Sequence, residues 1–253
     1  MGNVAIITGG TAGIGLACAE KLLADGATVV IAGRSPERGR DAVADLGGSR
    51  VRYVECDATD PAQVARLIEQ TVDDHRRIDV LVNNAGGVTD HGRPVTELDD
   101  DTLDRAFTLN VNSAFWACRS ALRHMLPRGY GRIVNMSSIA GKTGVAGLPG
   151  YTASKHALIG FTKTLAKEVT ARGVSVNAVC PGMTDTEMIP RELQGAIETA
   201  GADFATAAQH YTGDLGRIVD PAEVAALVAL LASPQGSAIS GTAISVDGGF
   251  SQF

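Results

Sequence analysis

Short apolar runs alternate with longer, helix-patterned stretches from the first residues of the chain almost to the last. Val4–Thr8, Thr28–Gly33, Arg50–Cys56, Asp79–Asn83, Gly131–Ser138, Val174–Cys180 and Ala243–Val246 read as strands. Several of these are unbroken apolar runs, such as Val29-Val30-Ile31-Ala32 and Val80-Leu81-Val82, as expected where helices cover both faces of a sheet. Helical patterns fill the intervals at Gly13–Asp25, Pro36–Leu46, Pro61–Arg76, Asp101–Leu126, Tyr151–Ala171 and Pro221–Leu231. Pro61 and Pro221 each follow an Asp, the signature of a capped helix start. The alternation predicts an α/β fold: a doubly wound parallel sheet of about seven strands with helices on both faces. No linker, repeat or low-complexity tract interrupts it, so residues 1–253 are expected to form one domain. The stretch 183–214 breaks the rhythm, with weak helical patterning at Glu192–Ala200 and Phe204–Tyr211. Placed before the last helix–strand pair, it reads as a substrate lid.

Composition narrows the picture further. The 253 residues are 45% hydrophobic and 20% charged, with a net charge of -6. An acidic chain without a basic run is a poor match for nucleic acid or an anionic membrane surface, so neither partner is expected. The cysteines Cys18, Cys56, Cys118 and Cys180 are widely spaced in apolar surroundings and read as core residues rather than disulfides or metal ligands. The chain enters its first strand too early for a signal or membrane segment, so a cytoplasmic location is expected. Asn135-Met136-Ser137 matches a glycosylation sequon but falls inside a predicted buried strand and is discarded.

The first strand ends in Thr8-Gly9-Gly10-Thr11-Ala12-Gly13-Ile14-Gly15 and leads straight into a helix. Glycines there allow a tight turn and bring backbone amides and the helix N-terminus against a pyrophosphate. This turn makes the sheet Rossmann-type, with Gly9, Thr11, Gly13, Ile14 and Gly15 as candidate cofactor-binding residues. At the end of the second strand an NAD site usually places a carboxylate for the ribose hydroxyls. This chain has Gly33-Arg34-Ser35 instead. A guanidinium there can grip a 2′-phosphate and no carboxylate repels it, so Arg34 and Ser35 point to NADP(H), with Arg38 assisting. Asp57 and Ala58, after the third strand, are candidates for the adenine. Asn84, Ala85 and Gly86 close the fourth strand, where the carboxyl ends of the sheet line the crevice.

Tyr151 and Lys155 project from one helix face, close enough for the ammonium to act on the phenol. A free phenol titrates near about 10 and is a poor base at neutral pH, and a neighbouring cation favours its phenolate. Ser138, at the end of the fifth predicted strand, is placed to hydrogen-bond a substrate oxygen beside Tyr151. Asn110 is a polar residue in an apolar helical stretch, which needs a reason.

These segments together resemble the short-chain dehydrogenase/reductase family over essentially the whole chain. Thr8–Gly15 matches its glycine motif, Asn83–Gly86 its Asn-Asn-Ala-Gly motif, and Asn110, Ser138, Tyr151 and Lys155 its catalytic set in order. Pro181-Gly182, with Thr184 and Thr186 following, resembles the family segment that holds the nicotinamide carboxamide. Val246-Asp247-Gly248-Gly249 resembles its closing motif. The resemblance implies hydride transfer between a nicotinamide and a carbonyl or alcohol carbon. It also implies that Lys155 binds the nicotinamide ribose, that Asn110 holds a proton-relay water, and that a homotetramer or homodimer forms partly on the Asp101–Leu126 and Tyr151–Ala171 helices. The family's basic residue before the second motif glycine is absent, since Ala12 stands there.

Ile139, Ala140, Val145, Leu148, Met183, Met188 and Tyr211 are the expected substrate wall, with Ser138 and Tyr151 at its base. His91, Arg93, Glu187, Arg191 and His210 are possible polar accents. A mostly apolar lining favours a ketone or secondary alcohol with an apolar body. In general layout the chain also resembles 3-oxoacyl-[acyl-carrier-protein] reductases, whose exposed arginines meet an acidic carrier. Arg172 matches one such position, while the other falls on Gly129, with Arg128 one residue early. A nucleotide-sensing protein that keeps the fold without chemistry is the alternative from another class. No metal-ligand cluster is present in the pattern.

Overall fold

The computed structural model describes residues 2–90, 92–187 and 212–251. Seven parallel strands form one sheet: β1 Val4–Thr8, β2 Thr28–Gly33, β3 Val51–Glu55, β4 Val80–Asn83, β5 Gly131–Met136, β6 Val174–Pro181 and β7 Ala243–Val246. Their order across the sheet is β3-β2-β1-β4-β5-β6-β7. The direction of winding therefore reverses between β1 and β4, where Thr8 pairs with Asn83. This is the switch point at which doubly wound sheets open a crevice beyond their carboxyl ends.

Among the described residues the helices are α1 Gly13–Ala24, α2 Pro36–Leu46, α3 Pro61–His75, α4 Asp101–Phe107, α5 Ser113–Arg128, α6 Pro149–Val169 and α7 Pro221–Ala232. Local chemistry sets several of their starts. Ser35 caps α2 by accepting from Arg38 N, and Asp60 caps α3 by accepting from Ala62 N and Gln63 N. Asp220 and Glu223 form a reciprocal capping box on α7. Pro36, Pro61 and Pro221 stand at first-turn positions, where the missing N–H costs nothing.

Alternation along the strands divides the core in two. Ala5, Ile7, Val29, Ile31, Val80, Val82 and Val134 face one side, against Cys18 and Leu22 of α1 and Val224, Val228 and Leu231 of α7. Ile6, Val30, Leu81, Ile133 and Val176 face the other, against Leu67 and Ile68 of α3, Ala121 and Met125 of α5, and Leu165 and Val169 of α6. Helices cover both faces, which is why Ala5-Ile6-Ile7, Val29-Val30-Ile31-Ala32 and Val80-Leu81-Val82 are apolar without a polar alternate. Each fully buried Ile or Leu contributes about 1.5–3 kcal/mol relative to exposure.

The four cysteines are buried and unpaired, and burial pushes the Cys18 and Cys118 thiols up to about 12. Asn135 of the discarded sequon is fully buried and donates to Thr162 Oγ1 at 2.8 Å. No helix among the described residues is long and apolar enough to cross a membrane.

Several expected boundaries shift by a residue or two, and two elements differ for visible reasons. Strand β5 stops at Met136, because Ser138 turns to cap a 3-10 turn over Ile139–Gly141. The Asp101–Leu126 helix is helical throughout but carries a π-helical turn at Thr108–Asn112, and runs through Pro127 to a left-handed Gly129 cap. Of the expected lid, 188–211 lie outside the described residues.

Candidate active site

The carboxyl ends of β1 and β4 are stitched together by side chains. Thr8 Oγ1 accepts from the backbone N–H groups of Asn84 and Ala85, each at 3.1 Å. Asn84 Nδ2 donates back to Thr8 O at 3.1 Å and Gly9 O at 2.9 Å. These bonds hold the glycine turn against the loop after β4. Gly9 and Gly13 both have positive φ, 64° and 52°. A Cβ on Gly15 would collide with the Gly9 carbonyl, so the turn closes only with glycine there.

The start of α1 differs from the capped helices. Its N-cap residue, Ala12, offers no side-chain hydrogen bond, and its first turn holds no acidic residue. The amides at the entry to α1 thus receive no side-chain oxygen from the cap, which suits an anionic group lying across the turn. Thr11 packs on Gly33 at the end of β2, and Thr186 on Gly13, which frames the turn on two sides. Pro181 ends β6, Gly182 N donates to Val246 O at 2.9 Å, and Thr184 Oγ1 donates to Gly182 O at 3.0 Å. Ile14 packs against the core beneath. The cradle fits a dinucleotide pyrophosphate.

Beyond it, Arg34 is exposed and has no ion-pair or hydrogen-bond partner among the described residues. Arg38, by contrast, is 3.1 Å from the Glu187 carboxylate. Asp57 is partly buried, and its Oδ1 accepts from Thr59 N at 2.9 Å and Thr59 Oγ1 at 2.8 Å, with Ala58 buried beside it. That oxygen is spent on its own turn.

Tyr151, Lys155, Asn110 and Ser138 are presented by α6, the π-helical turn and the segment after β5. Tyr151 and Lys155 lie one turn apart near the start of α6, and Lys155 Nζ is 5.5 Å from the Tyr151 ring centre. Lys155 is only 4% exposed, and its Nζ donates to Met136 O at 2.9 Å, which anchors the cation to the end of β5. Asn110, on the π-helical turn, accepts from Gly87 N at 2.9 Å and donates to Gly87 O at 3.1 Å. A Cβ on Gly86 would lie 2.7 Å from Asn110 Oδ1 and 3.2 Å from Lys155 Nζ, so Gly86 is the point where loop, Asn110 and Lys155 meet. Ser138 Oγ accepts from Ala140 N at 3.1 Å. Its own hydrogen has no acceptor among the described residues.

The expected substrate wall is mixed. Val145, Leu148 and Met183 are half-buried, whereas Ile139 and Ala140 are buried within the 3-10 turn. Met188, Tyr211, His91, Arg191 and His210 lie outside the described residues. Arg93 Nη1 donates to Glu97 O. The pattern did not single out Asp90, a fully buried carboxylate hydrogen-bonded to the Tyr151 amide. No local spacing could have found it, because its partner is 61 residues away.

A parallel sheet wound both ways, a glycine cradle at its switch point, and a Tyr–Lys pair whose ammonium lies beside the loop after β4 define a nicotinamide-type oxidoreductase. A model of the short chain dehydrogenase family matches residues 3–196, and the chain belongs to that family. It is 40% identical to a Streptomyces virginiae protein named as a ketoacyl reductase of the monensin polyketide synthase, covering 99% of this chain and 98% of that one. It is 37% identical to the 3-oxoacyl-[acyl-carrier-protein] reductase of Vibrio cholerae, over 98% of this chain and 97% of the relative. Among solved structures, a single-substitution variant of the actinorhodin polyketide ketoreductase with NADPH superposes with a TM-score of 0.94. That match has 34% identity over 100% of this chain and 98% of that one.

Proposed function

We propose that this protein is an NADP(H)-dependent ketoreductase that interconverts a ketone and a secondary alcohol, with Tyr151 as the general acid/base. The observation that carries the reading is the Tyr151–Lys155 pair, with a buried ammonium 5.5 Å from the phenol ring and tied to Met136 O. When bound, the nicotinamide supplies or accepts the hydride. Tyr151 gives its proton to the oxygen that becomes an alkoxide during reduction, and recovers it from the alcohol in the reverse direction. Lys155 stabilises the phenolate left behind. Ser138 donates the hydrogen that its bond from Ala140 N leaves available, holding the substrate oxygen beside Tyr151. The Asn110 amide is committed to Gly87, so we assign it first to fixing the Gly86–Gly87 segment under the site.

Residues Gly9, Thr11, Gly13, Ile14 and Gly15 would hold the pyrophosphate, and Arg34 and Ser35 the 2′-phosphate. Asp57 and Ala58 would hold the adenine, Asn84–Gly86 the ribose side, and Pro181–Thr186 the carboxamide. The exposed Arg34 and the NADPH in the actinorhodin relative both support this choice. The chain would work as one catalytic domain, with 183–214 as its substrate lid. The apolar groove of Phe115, Leu122, Leu126, Phe161 and Leu165 on α5 and α6 supports a homo-oligomer.

The ketoacyl-type relatives favour a 3-oxoacyl or polyketide-like ketone. An acidic carrier would find fewer arginines than the sequence suggests. Arg128 Nη2 is 2.6 Å from the Asp79 carboxylate and its Nη1 donates to Ile78 O, so its guanidinium is already committed, whereas the exposed Arg172 has no ion pair among the described residues. The test is NADPH and NADH oxidation across 3-oxoacyl thioesters, cyclic ketones, steroid ketones and sugar-derived carbonyls, with Tyr151→Phe alongside. Turnover of one class with NADPH is expected, with a loss of about 10²–10⁴-fold in the variant. NADPH binding without turnover of any class would favour a sensor instead.

A further inference from the structure

Helix α6 presents both Tyr151 and Lys155, yet its N-cap residue, Leu148, gives it no side-chain hydrogen bond. Helices α3 and α7 are capped by the Asp directly before them, Asp60 and Asp220. For α6 the oxygen comes from elsewhere in the chain. Asp90, on the loop after β4, accepts from Tyr151 N through Oδ2 at 2.9 Å. It is 0% exposed, and its Oδ1 accepts from the Thr89 hydroxyl at 2.9 Å. A buried carboxylate is costly unless hydrogen bonds replace its water, and the amides and dipole of a helix start supply that compensation.

Two close contacts show that this arrangement is built. A Cβ on Gly150 would lie 2.9 Å from Asp90 Oδ1, and one on Gly147 would lie 2.8 Å from Gly92 O. The loop after β4 is thus pressed against the approach to α6 at Asp90 and at Gly92. The same loop is fixed at Gly87 by Asn110 and at Asn84 by Thr8. Asp90 therefore connects the backbone of Tyr151 to the segment that borders the cofactor cradle.

We propose that Asp90 is a positioning residue for the reaction: it holds the first turn of α6 so that the Tyr151 phenol stays in register with residues 84–87. This rests on the reading of Tyr151 as acid/base. A local cap at 148 would steady the helix equally well, but it would not link its start to the cofactor side of the site. Loss of the link costs geometry at the phenol rather than nucleotide affinity.

The experiment compares Asp90→Ala, Asp90→Asn, Gly150→Ala and Tyr151→Phe by kcat, KM and the Kd for NADPH. Asp90→Ala removes the acceptor, whereas Asp90→Asn keeps a carbonyl oxygen for the Tyr151 amide. The expected result is a kcat loss of about 10- to 100-fold for Asp90→Ala, since misplacing a reacting group by about an ångström costs that much. Asp90→Asn should recover most of it, with the NADPH Kd unchanged in both. Gly150→Ala should reproduce the loss by crowding the carboxylate, and it decides the matter if Asp90→Ala does not fold. Hydrogen exchange at the Tyr151 amide should quicken in the variants that lose the bond, whatever the substrate. A normal kcat in Asp90→Ala and Gly150→Ala would overturn the proposal, as would an equal fall in kcat and NADPH affinity without rescue by Asn. Turnover surviving in Tyr151→Phe would instead overturn the acid/base reading, leaving the exchange result to judge Asp90's hold on α6.

Discussion

Replacing Gly86 by Ala tests the geometry of the site without removing any polar group from it. The backbone of Gly86 does not have positive φ, so the substitution carries no conformational penalty of its own. Its consequence is contact: the new Cβ would lie 2.7 Å from Asn110 Oδ1 and 3.2 Å from Lys155 Nζ. Ordinary carbon–oxygen contact lies well beyond 2.7 Å, so Oδ1 must retreat by about 0.5 Å. That oxygen accepts from Gly87 N at 2.9 Å, and a retreat of that size takes the bond to the edge of hydrogen-bonding distance. Asn110 is only 2% exposed, so water cannot replace the partner, and an unsatisfied buried group costs about 1–3 kcal/mol. For a chain of this size each kcal/mol lowers Tm by about 2–4 °C, so a drop of about 2–12 °C is expected in thermal unfolding. Lys155 Nζ is pushed the other way, off its place near the Tyr151 ring, and kcat should fall with it. Steady-state kinetics with NADPH and a thermal melt of the same preparation read both effects. A Tm within about 1 °C of the parent, about a third of a kcal/mol, together with an unchanged kcat, would refute this account of how Gly86, Asn110 and Lys155 meet.

Two further expectations follow from the charges. Arg34→Asp should shift the ratio of kcat/KM for NADPH over NADH by about 10- to 100-fold toward NADH, the worth of a charge-assisted bond; an unchanged ratio would remove Arg34 from the cofactor site. Asp79 is fully buried between Arg77 and Arg128, which it meets at 2.6 Å each, and it also accepts from Val4 N at 2.9 Å. Burial alone would raise its pKa, but the bonds from both arginines and Val4 outweigh it and hold the carboxyl below its ordinary value. A lowered folded pKa means stability that is fully present above the unfolded value of about 3.9 and is lost as pH falls through the folded one. Asp79→Ala should therefore cost about 3–5 kcal/mol in urea unfolding at about pH 7, with the gap to the parent closing below about pH 4. A gap that stays constant down to about pH 3 would contradict the assignment.

The framework was legible in the sequence because local chemistry states it. Apolar runs named all seven strands, and Asp-Pro pairs marked the starts of α3 and α7. The cradle was legible for the same reason, since glycines at a strand–helix junction answer a local steric demand. Where tertiary contact decides, the pattern was silent. Helix α6 begins at Pro149, two residues before the Tyr151 suggested by the motif, because its cap comes from a distant loop. Asn110 stood out as a polar residue in an apolar helix, but only folding shows its amide closing on Gly87. Arg128 lay near the carrier-docking position, yet its guanidinium is bonded to the buried Asp79.

The π-helical turn at Thr108–Asn112 has a consequence for heredity. Such a turn holds one residue more than an α-helix would, and losing it would let the hydrogen bonds close into a regular helix. The loss would leave α4 and α5 helical but would rotate one about the other by about 100°. Ala106, whose Cβ lies 3.4 Å from where a Cβ on Gly150 would sit, would leave α6, and Asn110 would swing away from Gly87. Descendants of this chain should therefore accept substitutions at exposed Leu103 far sooner than a single inserted or deleted codon between residues 101 and 128.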